Sequence, residues 1–474
     1  MPLTDAPKHI VVWLPLPAHS SWRGEGIIQT VEQILAHAPA ADDAPQWTLV
    51  VSPAHKNEVH QDVIKHPRIT VRTLFGLGSP GRKHQYSSDQ LIRHMIRPTL
   101  WQRLTQMSRH VRVFGTAKKW IDLSRYAVML TLHTYWQALG WSFRGTSIWV
   151  PTPIIPLAHR LKGPKTCSFW DPFIFEYAAF RDTGSFFLAQ FLRLFAAADN
   201  IITQSDYNRR YLSKVMNAPS RSINVIKNGT NDYSKHKIPD TVTQTEREHF
   251  ILSHFGRSVF FGPLSVVAQK FIDQMLAKSV LMRIIERKNS LASPKIIFVS
   301  TQYRPHKGMH ELLETATQLI EAEDDATEYL FIFTAKLPLQ VVSKYPRLHE
   351  HTYELTRLSN KDHALIYQLA DLVVHPSHAE GGLPYPIHEA ASLGVASLVN
   401  DGRHMREALR AIPELGVLTF DISKPRKAAR EIRDVLASPE RQTKMLAAAK
   451  IAERPWAVVA QDYANLLTQI APGD

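Results

Sequence analysis

Short apolar runs alternate along the chain with longer segments in which apolar residues recur every three or four positions. The short runs are rich in Val, Ile and Phe and predict buried strands, while the longer period predicts amphipathic helices. The predicted strands are His9–Leu14, Trp47–Val51, Ile69–Thr73, Ser147–Val150, Lys165–Phe169, Asn200–Thr203, Ile223–Ile226, Lys295–Ser300, Tyr329–Thr334, Leu372–His375, Ala396–Val399 and Gly416–Thr419. The predicted helices are Gly26–His37, His310–Glu321, His363–Ala370, Pro386–Leu393, Pro425–Ala437 and Trp456–Ile470. Such alternation is typical of an α/β fold with parallel sheets.

The pattern divides into two α/β halves, as expected because 474 residues are too many for one ordinary hydrophobic core. We predict an N-terminal α/β domain over residues 1–232, which includes a basic segment over 76–132. A helical linker insertion is predicted over 233–293. A C-terminal α/β domain follows over 294–455, and a final helix is predicted over 456–474.

Composition narrows the class of protein. Apolar residues make up 44% and charged residues 21%, which is globular, and the single cysteine, Cys167, excludes an internal disulfide. The first residues lack a basic stretch followed by an apolar run, and the apolar run over 186–202 is interrupted by polar residues. We therefore expect no signal peptide and no membrane span, and a cytoplasmic location. The net charge of +13 indicates either an anionic partner or only a requirement for solubility.

The segment over 370–390 contains the strongest candidates for ligand-binding residues. A buried strand ends at Pro376, a glycine loop follows, and a helix is predicted to begin near Pro386. Free N–H groups at such a helix start suit a phosphate or sugar oxygen. Glu380 is placed to accept hydrogen bonds from sugar hydroxyls, and Glu389 to bind a ribose diol bidentately. The alternative interpretation is a capped helix with two solvated acids.

A second segment, over 295–308, again runs from a strand through a loop into a helix. Arg304 and Lys307 lie three residues apart at the carboxyl edge of the strand, where α/β proteins bind ligands. Two cations there would neutralise a leaving diphosphate. The alternative is a solvated pair of loop charges. A third segment, over 223–232, is interpreted as a strand followed by an Asn-Gly turn at a domain hinge.

The order and content of these segments resemble the retaining GT-B glycosyltransferases of family 4. The family's R-x-x-K-G element corresponds to 304–308, its A-D-L-x-x-x-P-S-x-x-E-G element to 370–381, and its hinge pattern to 223–232 with one extra residue before Asp232. The resemblance covers roughly residues 145–232 and 295–470. It implies two Rossmann-like domains that face each other across a cleft, an acceptor domain over 1–232 and a nucleotide-sugar domain over 294–455. The last helix, over 456–474, would cross back and pack on the N-terminal domain.

The resemblance also implies a function. The chain would transfer a hexose, with retention, from a nucleotide-diphosphate sugar to a glycan or lipid-linked acceptor, in cell-surface polysaccharide or glycolipid synthesis. Arg304 and Lys307 would bind the diphosphate, Glu380 the transferred sugar and Glu389 the ribose. The donor site would be lined by backbone at Gly381, Gly382, Leu383, Gly24 and Gly26. No cofactor and no catalytic metal are expected, and the 23 histidines form no metal-like pair in the sequence.

Two departures from the family pattern leave a different function open. Eight residues separate Glu380 from Glu389, where the family has seven, so either the loop bulges or Glu380 is displaced. Trp170 replaces the histidine that the family often has beside the acid at Asp171. Asp171 would orient a sugar or acceptor hydroxyl, or would belong only to an Asp-Pro turn. The alternative is a non-catalytic GT-B protein that acts as a binding or assembly partner.

Basic residues alternate with apolar ones over 92–120 and predict a contact surface. A basic amphipathic helix with aromatic anchors suits an anionic membrane surface, and an ordinary helix that packs on its sheet is the alternative. The residues assigned to this membrane or acceptor surface are Arg93, Arg97, Trp101, Arg103, Arg109 and Arg112. Nucleic acid is not expected as a partner, because the two glutamates would repel phosphate and no nucleic-acid module is recognisable.

Overall fold

The computed structural model describes residues 9–16, 22, 26–52, 55–73, 146–153, 155, 158–171, 185–215, 222–256, 264–289, 294–322, 327–356 and 358–469. The chain divides into two compact units, one formed by residues 1–228 with 455–474 and the other by residues 229–454. Gly24 and the residues assigned to the basic surface over 92–120 lie outside the described residues, so their predicted roles stay predictions.

The first unit has a parallel sheet at its centre. Its strands are β1 (His9–Leu14), β2 (Gln46–Val51), β3 (Ile69–Thr73), β4 (Thr146–Val150), β5 (Lys165–Phe169), β6 (Asn200–Thr203) and β7 (Ser222–Val225). They are arranged in the order β3-β2-β1-β4-β5-β6-β7, and every pair is parallel. The central strands are buried on both faces, which is why they consist of continuous apolar runs rather than alternating ones.

Helices connect and cover these strands. They are α1 (Gly26–Ala36), α2 (Gln61–Lys65), α3 (Ser185–Ala197), α4 (Asp206–Val215) and the C-terminal helix α14 (Trp456–Gln469). The buried face of α14 is apolar, and the ring of its Tyr463 lies 4.8 Å from that of Trp149 on β4. Helix α14 also packs against α1, so the end of the chain belongs to the first unit.

The second unit repeats this plan. Its strands are β8 (Lys295–Val299), β9 (Tyr329–Phe333), β10 (Thr352–Glu354), β11 (Leu372–His375), β12 (Ser397–Asn400) and β13 (Thr419–Phe420). They are parallel, in the order β10-β9-β8-β11-β12-β13. Its helices are α5 (Gln244–His254), α6 (Leu264–Lys288), α7 (Met309–Ile320), α8 (Leu339–Val342), α9 (Asn360–Leu369), α10 (Tyr385–Ser392), α11 (Arg403–Ala411), α12 (Pro425–Ala437) and α13 (Pro439–Ile451).

The segment over 233–293, interpreted from the sequence as a linker insertion, is helical but belongs to the second unit. Helix α5 begins with a capping box, in which the Thr243 and Glu246 side chains each bond the other's backbone N–H. Apolar side chains of α5 and α6, including Ile251 and Leu281, share one core with Phe298 of β8. Because these residues bury apolar area against the sheet, the two helices form one of its covering layers.

Some element bounds differ from the sequence prediction. Residues 413–418 form a 3₁₀ helix, and the last strand is only the two residues that follow it, so the predicted strand over 416–419 is wrong. Helix α10 begins one residue before Pro386, and the edge strand β10 and helices α2, α3, α4, α8, α11 and α13 were not predicted. Very short elements and predominantly polar helices have too few apolar positions to give a clear period, whereas α3 is apolar at most positions and so lacks a polar face that would reveal one.

The strand order of the second sheet contains a switch point between β8 and β11. β8 and β11 are neighbours, but the chain continues from β8 to β9 on one side and from β11 to β12 on the other. The loops that follow these two strands therefore leave the sheet side by side and diverge. Open α/β sheets bind ligands at such a switch point, outside the carboxyl ends of the strands.

Candidate active site

The loops that follow β8 and β11 are joined by hydrogen bonds. The backbone N–H of His378 donates to the carbonyl oxygen of His306 over 2.9 Å, and the hydroxyl of buried Ser377 donates to the same oxygen over 3.3 Å. The Asn400 side chain at the end of β12 donates to the Ser377 carbonyl over 3.2 Å. Three adjacent strand ends thus fix the two loops as one surface.

Gly308 is the point at which the two loops come closest. Its φ of +61° is left-handed, and a Cβ built there would lie 2.2 Å from the carbonyl oxygen of Pro376. Both conditions exclude a side chain, because the conformation favours glycine and the space is already filled by backbone. The glycine of the R-x-x-K-G element therefore allows the loop that carries Lys307 to contact the loop that carries Glu380.

Lys307 and Glu380, assigned separately from the sequence, form an ion pair. The ammonium of Lys307 donates to Oε1 of Glu380, and Nε2 of His375 lies 2.9 Å from the same oxygen. The three side chains are only 14%, 18% and 5% exposed for Lys307, Glu380 and His375. Since the carboxylate of Glu380 meets Lys307, the extra residue in the following loop does not carry it away from the basic loop.

Arg304 and Lys307 belong to one short turn. Arg304 precedes the 3₁₀ helix Pro305–Lys307, and its carbonyl oxygen accepts a hydrogen bond of 2.9 Å from the Lys307 N–H. His306, inside this turn, is fully buried. Burial, and secondarily the charge of Lys307, lowers the pKa of His306 to about 3. His306 is therefore neutral near pH 7, and the positive charge of the turn comes from Arg304 and Lys307.

Glu389 lies in a different environment. It is only 4% exposed, and each of its carboxylate oxygens has a protein donor. Oε1 accepts from the Asn231 amide over 2.6 Å, and Oε2 accepts from the Tyr367 hydroxyl over 2.7 Å. A carboxylate has about four lone-pair sites, so these bonds orient Glu389 and leave acceptor capacity for a ligand.

Two tyrosines near Glu389 stay protonated. Burial raises the pKa of Tyr367 well above its ordinary value, and the negative charge of Glu389 raises it further. The same two causes, in the same order, raise the pKa of Tyr233, which also hydrogen-bonds Glu389. Both phenols therefore remain neutral and act as hydrogen-bond donors to Glu389.

The glycine loop connects Glu380 to helix α10. Gly381 is buried, while Gly382 and Leu383 are half-buried and Leu383 packs on the core of the second unit. At the start of α10, Pro386 has no N–H and the N–H of Ile387 bonds the Pro384 carbonyl over 3.2 Å. These two residues therefore contribute no free N–H, and fewer donors face a ligand there than the sequence suggested.

The remaining predicted site residues lie in the first unit. Asp171 is half-buried and follows β5, directly after buried Trp170. The Trp170 indole donates to the Pro151 carbonyl, and the Trp170 carbonyl accepts from Gln204 over 2.6 Å and Asn208 over 2.9 Å. Gly26 begins α1, and a Cβ there would meet nothing within 4 Å. The Asp171 backbone is thus well anchored, whereas Gly26 is not required for steric reasons.

Sequence reasoning missed four contributors to the site. His375 was predicted only as the last residue of a strand, Asn231 only as part of a hinge turn, and Tyr233 and Tyr367 were not singled out. Each touches a candidate carboxylate through a polar atom. A polar residue at the carboxyl end of a buried strand, such as His375, was the one available signal. Within the described ranges, no group of three or more His, Cys, Asp or Glu side chains is arranged to hold a metal ion.

Comparison with known proteins identifies the family of the segment that carries both loops. Residues 282–451, which include both loops, match the family model of glycosyl transferases group 1. The chain carries a glycosyltransferase domain. The enzyme class expected from the sequence is therefore confirmed. A comparison with curated protein sequences finds no match.

Solved structures resemble the chain over nearly its whole length. The N-terminal domain of Candida albicans trehalose-6-phosphate phosphatase is 12% identical to this chain with a TM-score of 0.56. The match covers 99% of this chain and 98% of that domain's chain. A UDP-forming α,α-trehalose-phosphate synthase from Burkholderia vietnamiensis is 16% identical with a TM-score of 0.53, over 98% and 99%. Anabaena HepE in complex with UDP is 14% identical with a TM-score of 0.53, over 97% and 99%. These likenesses confirm the predicted fold class of two Rossmann-like domains.

None of the described helices is long and apolar enough to cross a membrane.

Proposed function

We propose that the chain is a retaining, family 4-type glycosyltransferase that moves a hexose from a nucleotide-diphosphate sugar to a glycan or lipid-linked acceptor. The observation that supports this most strongly is the contact between Lys307 and Glu380 at the switch point of the second sheet, within the residues that match the family model. A cation and a carboxylate side by side suit a ligand in which a diphosphate is bonded to a hydroxyl-rich ring.

The proposed roles of the site residues follow from the charges of their side chains. Arg304 and Lys307 bind the diphosphate and stabilise the negative charge that develops on it as the glycosidic bond breaks. Glu380 accepts hydrogen bonds from hydroxyls of the transferred sugar. Glu389, oriented by Asn231 and Tyr367, accepts from the ribose diol. Asp171, in the first unit, orients a sugar or acceptor hydroxyl. The two cations replace a metal in balancing the leaving group.

UDP-sugars are the first donors to test, because HepE was solved with UDP and the Burkholderia vietnamiensis enzyme is described as UDP-forming. The assay incubates the full-length chain with a panel of nucleotide-sugars and measures release of the nucleoside diphosphate. Thermal shift with the same panel gives an independent reading, since a ligand that binds the folded state raises Tm by an amount that grows with the ratio of its concentration to its Kd. No release and no shift with any donor would refute the donor site and favour the non-catalytic alternative.

Variants then test the roles of the basic turn. We expect Lys307→Ala and Arg304→Ala each to lower turnover about 10²–10³-fold, because a charge-assisted contact that strengthens in the transition state contributes about 2–4 kcal/mol. Lys344→Ala, a change of an exposed lysine outside this turn, is the matched control and should leave turnover within about twofold. Wild-type turnover in both site variants would remove the turn from the donor site.

Separate measurements distinguish the two glutamates. Glu389→Ala should weaken binding of the free nucleoside diphosphate in calorimetry, whereas Glu380→Ala should impair transfer more than nucleotide binding. Unchanged nucleotide affinity in Glu389→Ala would exclude the ribose role. The anomeric configuration of the product, read by NMR before mutarotation, decides whether the reaction proceeds with retention.

A further inference from the structure

Glu380 has two donors on one oxygen. Oε1 is contacted by the Lys307 ammonium and, at 2.9 Å, by Nε2 of His375. The two donors come from different elements, Lys307 from the turn after β8 and His375 from the last position of β11. His375 is the more buried of the two and is placed by the backbone of a central strand. It therefore has less freedom to move than the lysine.

The contact between His375 and Glu380 determines which nitrogen of the imidazole ring carries a proton. A carboxylate only accepts hydrogen bonds, so Nε2 of His375 carries a proton and donates it to Glu380. The other ring nitrogen, Nδ1, is buried and has no hydrogen-bond partner among the described residues. A proton on Nδ1 would be a buried donor without an acceptor, which is unfavourable. The hydrogen bond to Glu380 therefore assigns a proton to Nε2 of His375.

Lys307 has a competing partner when a donor is bound. In the structure its ammonium neutralises Glu380, but the proposed function requires the same ammonium at the diphosphate. A diphosphate bears more negative charge than one carboxylate, so the lysine is drawn from Glu380 to the phosphate as donor binds. Glu380 then loses a donor just as another anion arrives nearby, and electrostatic repulsion favours its rotation away from the sugar.

We propose that His375 is a positioning residue, which holds the carboxylate of Glu380 toward the sugar once Lys307 has moved to the diphosphate. The inference rests on the proposed function and assigns a role that neither motif nor family pattern gave. Removing the imidazole donor should lower turnover while the affinity for the nucleotide portion, which Glu380 does not contact, stays the same.

The main experiment compares His375→Leu with His375→Gln in the full-length chain, because the Gln amide places a donor near the position of Nε2. We measure kcat and KM for the best nucleotide-sugar, and Kd for UDP by calorimetry. We expect His375→Leu to lower kcat about 10–100-fold, the size of a lost hydrogen bond to a charged group, with Kd for UDP within about threefold of wild type. If His375→Leu lowers kcat about 100-fold, His375→Gln should restore at least about tenfold of that loss in kcat.

A matched control is another histidine with one hydrogen bond. His351 is half-buried, and its Nδ1 lies 2.9 Å from the Tyr329 carbonyl oxygen, at the amino end of β9 and so at the opposite edge of the sheet. His351→Leu should leave kcat within about twofold of wild type. An equal loss of kcat in His351→Leu and His375→Leu would show a general effect on folding and would overturn the proposal, as would wild-type kcat in His375→Leu.

A second variant tests the movement of Lys307 and does not depend on His375→Leu folding. Glu380→Gln removes the charge that holds Lys307. UDP should therefore bind the variant about 2–5-fold more tightly than wild type, as expected for the loss of a partly exposed competing ion pair. UDP affinity equal to or weaker than wild type would overturn the proposed exchange. Failure of the proposed function is distinguishable, since it would appear in the wild-type chain as no UDP binding and no donor turnover.

Discussion

Replacing Gly308 with alanine is expected to disrupt the donor site through the backbone. The new methyl would lie 2.2 Å from the Pro376 carbonyl oxygen, whereas real Cβ atoms essentially never come closer than 3.0 Å to such an atom. The two loops must therefore separate by 0.8 Å or more, the difference between these distances. Because the neighbour is backbone joined to His306 through Ser377 and His378, no side-chain rotation relieves the contact.

The expected cost has two parts. A non-glycine residue in the left-handed region costs about 1–2 kcal/mol, and moving a packed backbone segment adds about 1–3 kcal/mol. Gly308→Ala should therefore lower the free energy of unfolding by about 2–5 kcal/mol. Gly394→Ala is the matched control, because Gly394 has φ of +81° but nothing within 4 Å of its added Cβ. It should lose only the first part, about 1–2 kcal/mol.

The assay is urea unfolding of both variants beside the wild-type chain, followed by UDP calorimetry on the folded variants. The difference between the two alanine variants isolates the contact with Pro376, since both are left-handed positions. We expect Gly308→Ala also to weaken UDP binding, because Lys307 is its immediate neighbour, and Gly394→Ala to leave binding unchanged. Equal unfolding free energies for the two variants would refute the argument that this glycine is required by the approach of the loops.

Three further predictions concern other parts of the chain. Burial lowers the pKa of His388 to about 4 from an ordinary 6.5, so between these values the unfolded chain takes up a proton that the folded chain refuses. The free energy of unfolding should fall by about 3 kcal/mol as pH falls from 6.5 to 4. In His388→Leu, urea unfolding at several pH values should show a smaller fall over this range. An equal fall in the variant and the wild type would contradict the prediction. Tyr367→Phe removes the donor to Oε2 of buried Glu389. This change should lower the free energy of unfolding by about 1–3 kcal/mol. Tyr303→Phe, at a half-buried tyrosine outside that contact, is the control and should show no such loss. Finally, the protein should co-sediment with anionic vesicles at low salt and less at high salt. The triple change of Arg103, Arg109 and Arg112 to Gln should weaken vesicle binding without affecting donor turnover. No vesicle binding by the wild type at low salt would refute the lipid interpretation.

Much of the architecture was predictable because both sheets are parallel and buried. Strands such as β1 and β8 consist of continuous apolar residues, and their bounds follow from the sequence to within a residue. The pattern failed where burial is partial, as at the two-residue strand β13. It also placed α5 and α6 outside the α/β units, since periodicity shows that a face is apolar but not what covers it.

The candidate site residues were named one by one from the sequence, but the contacts among them were not. Lys307 and Glu380 were named because each follows a strand and precedes a helix, and their meeting depends on β8 and β11 being neighbours. Strand order is not encoded in the local pattern that predicts a strand. The same limit explains why Asn231, 158 positions from Glu389 in the chain, was not recognised as its partner.

The two glutamates show how similar residues acquire different tasks from their surroundings. Glu389 has three neutral donors, Asn231, Tyr367 and Tyr233, none of which a bound phosphate would attract away. Its orientation is therefore independent of the ligand, which suits recognition of an unchanging part of the donor such as ribose. Glu380 is paired with a lysine that is expected to exchange partners as the diphosphate binds. Its environment changes with the donor, which suits a residue that acts on the transferred sugar, and it is this carboxylate that needs a second, fixed donor in His375.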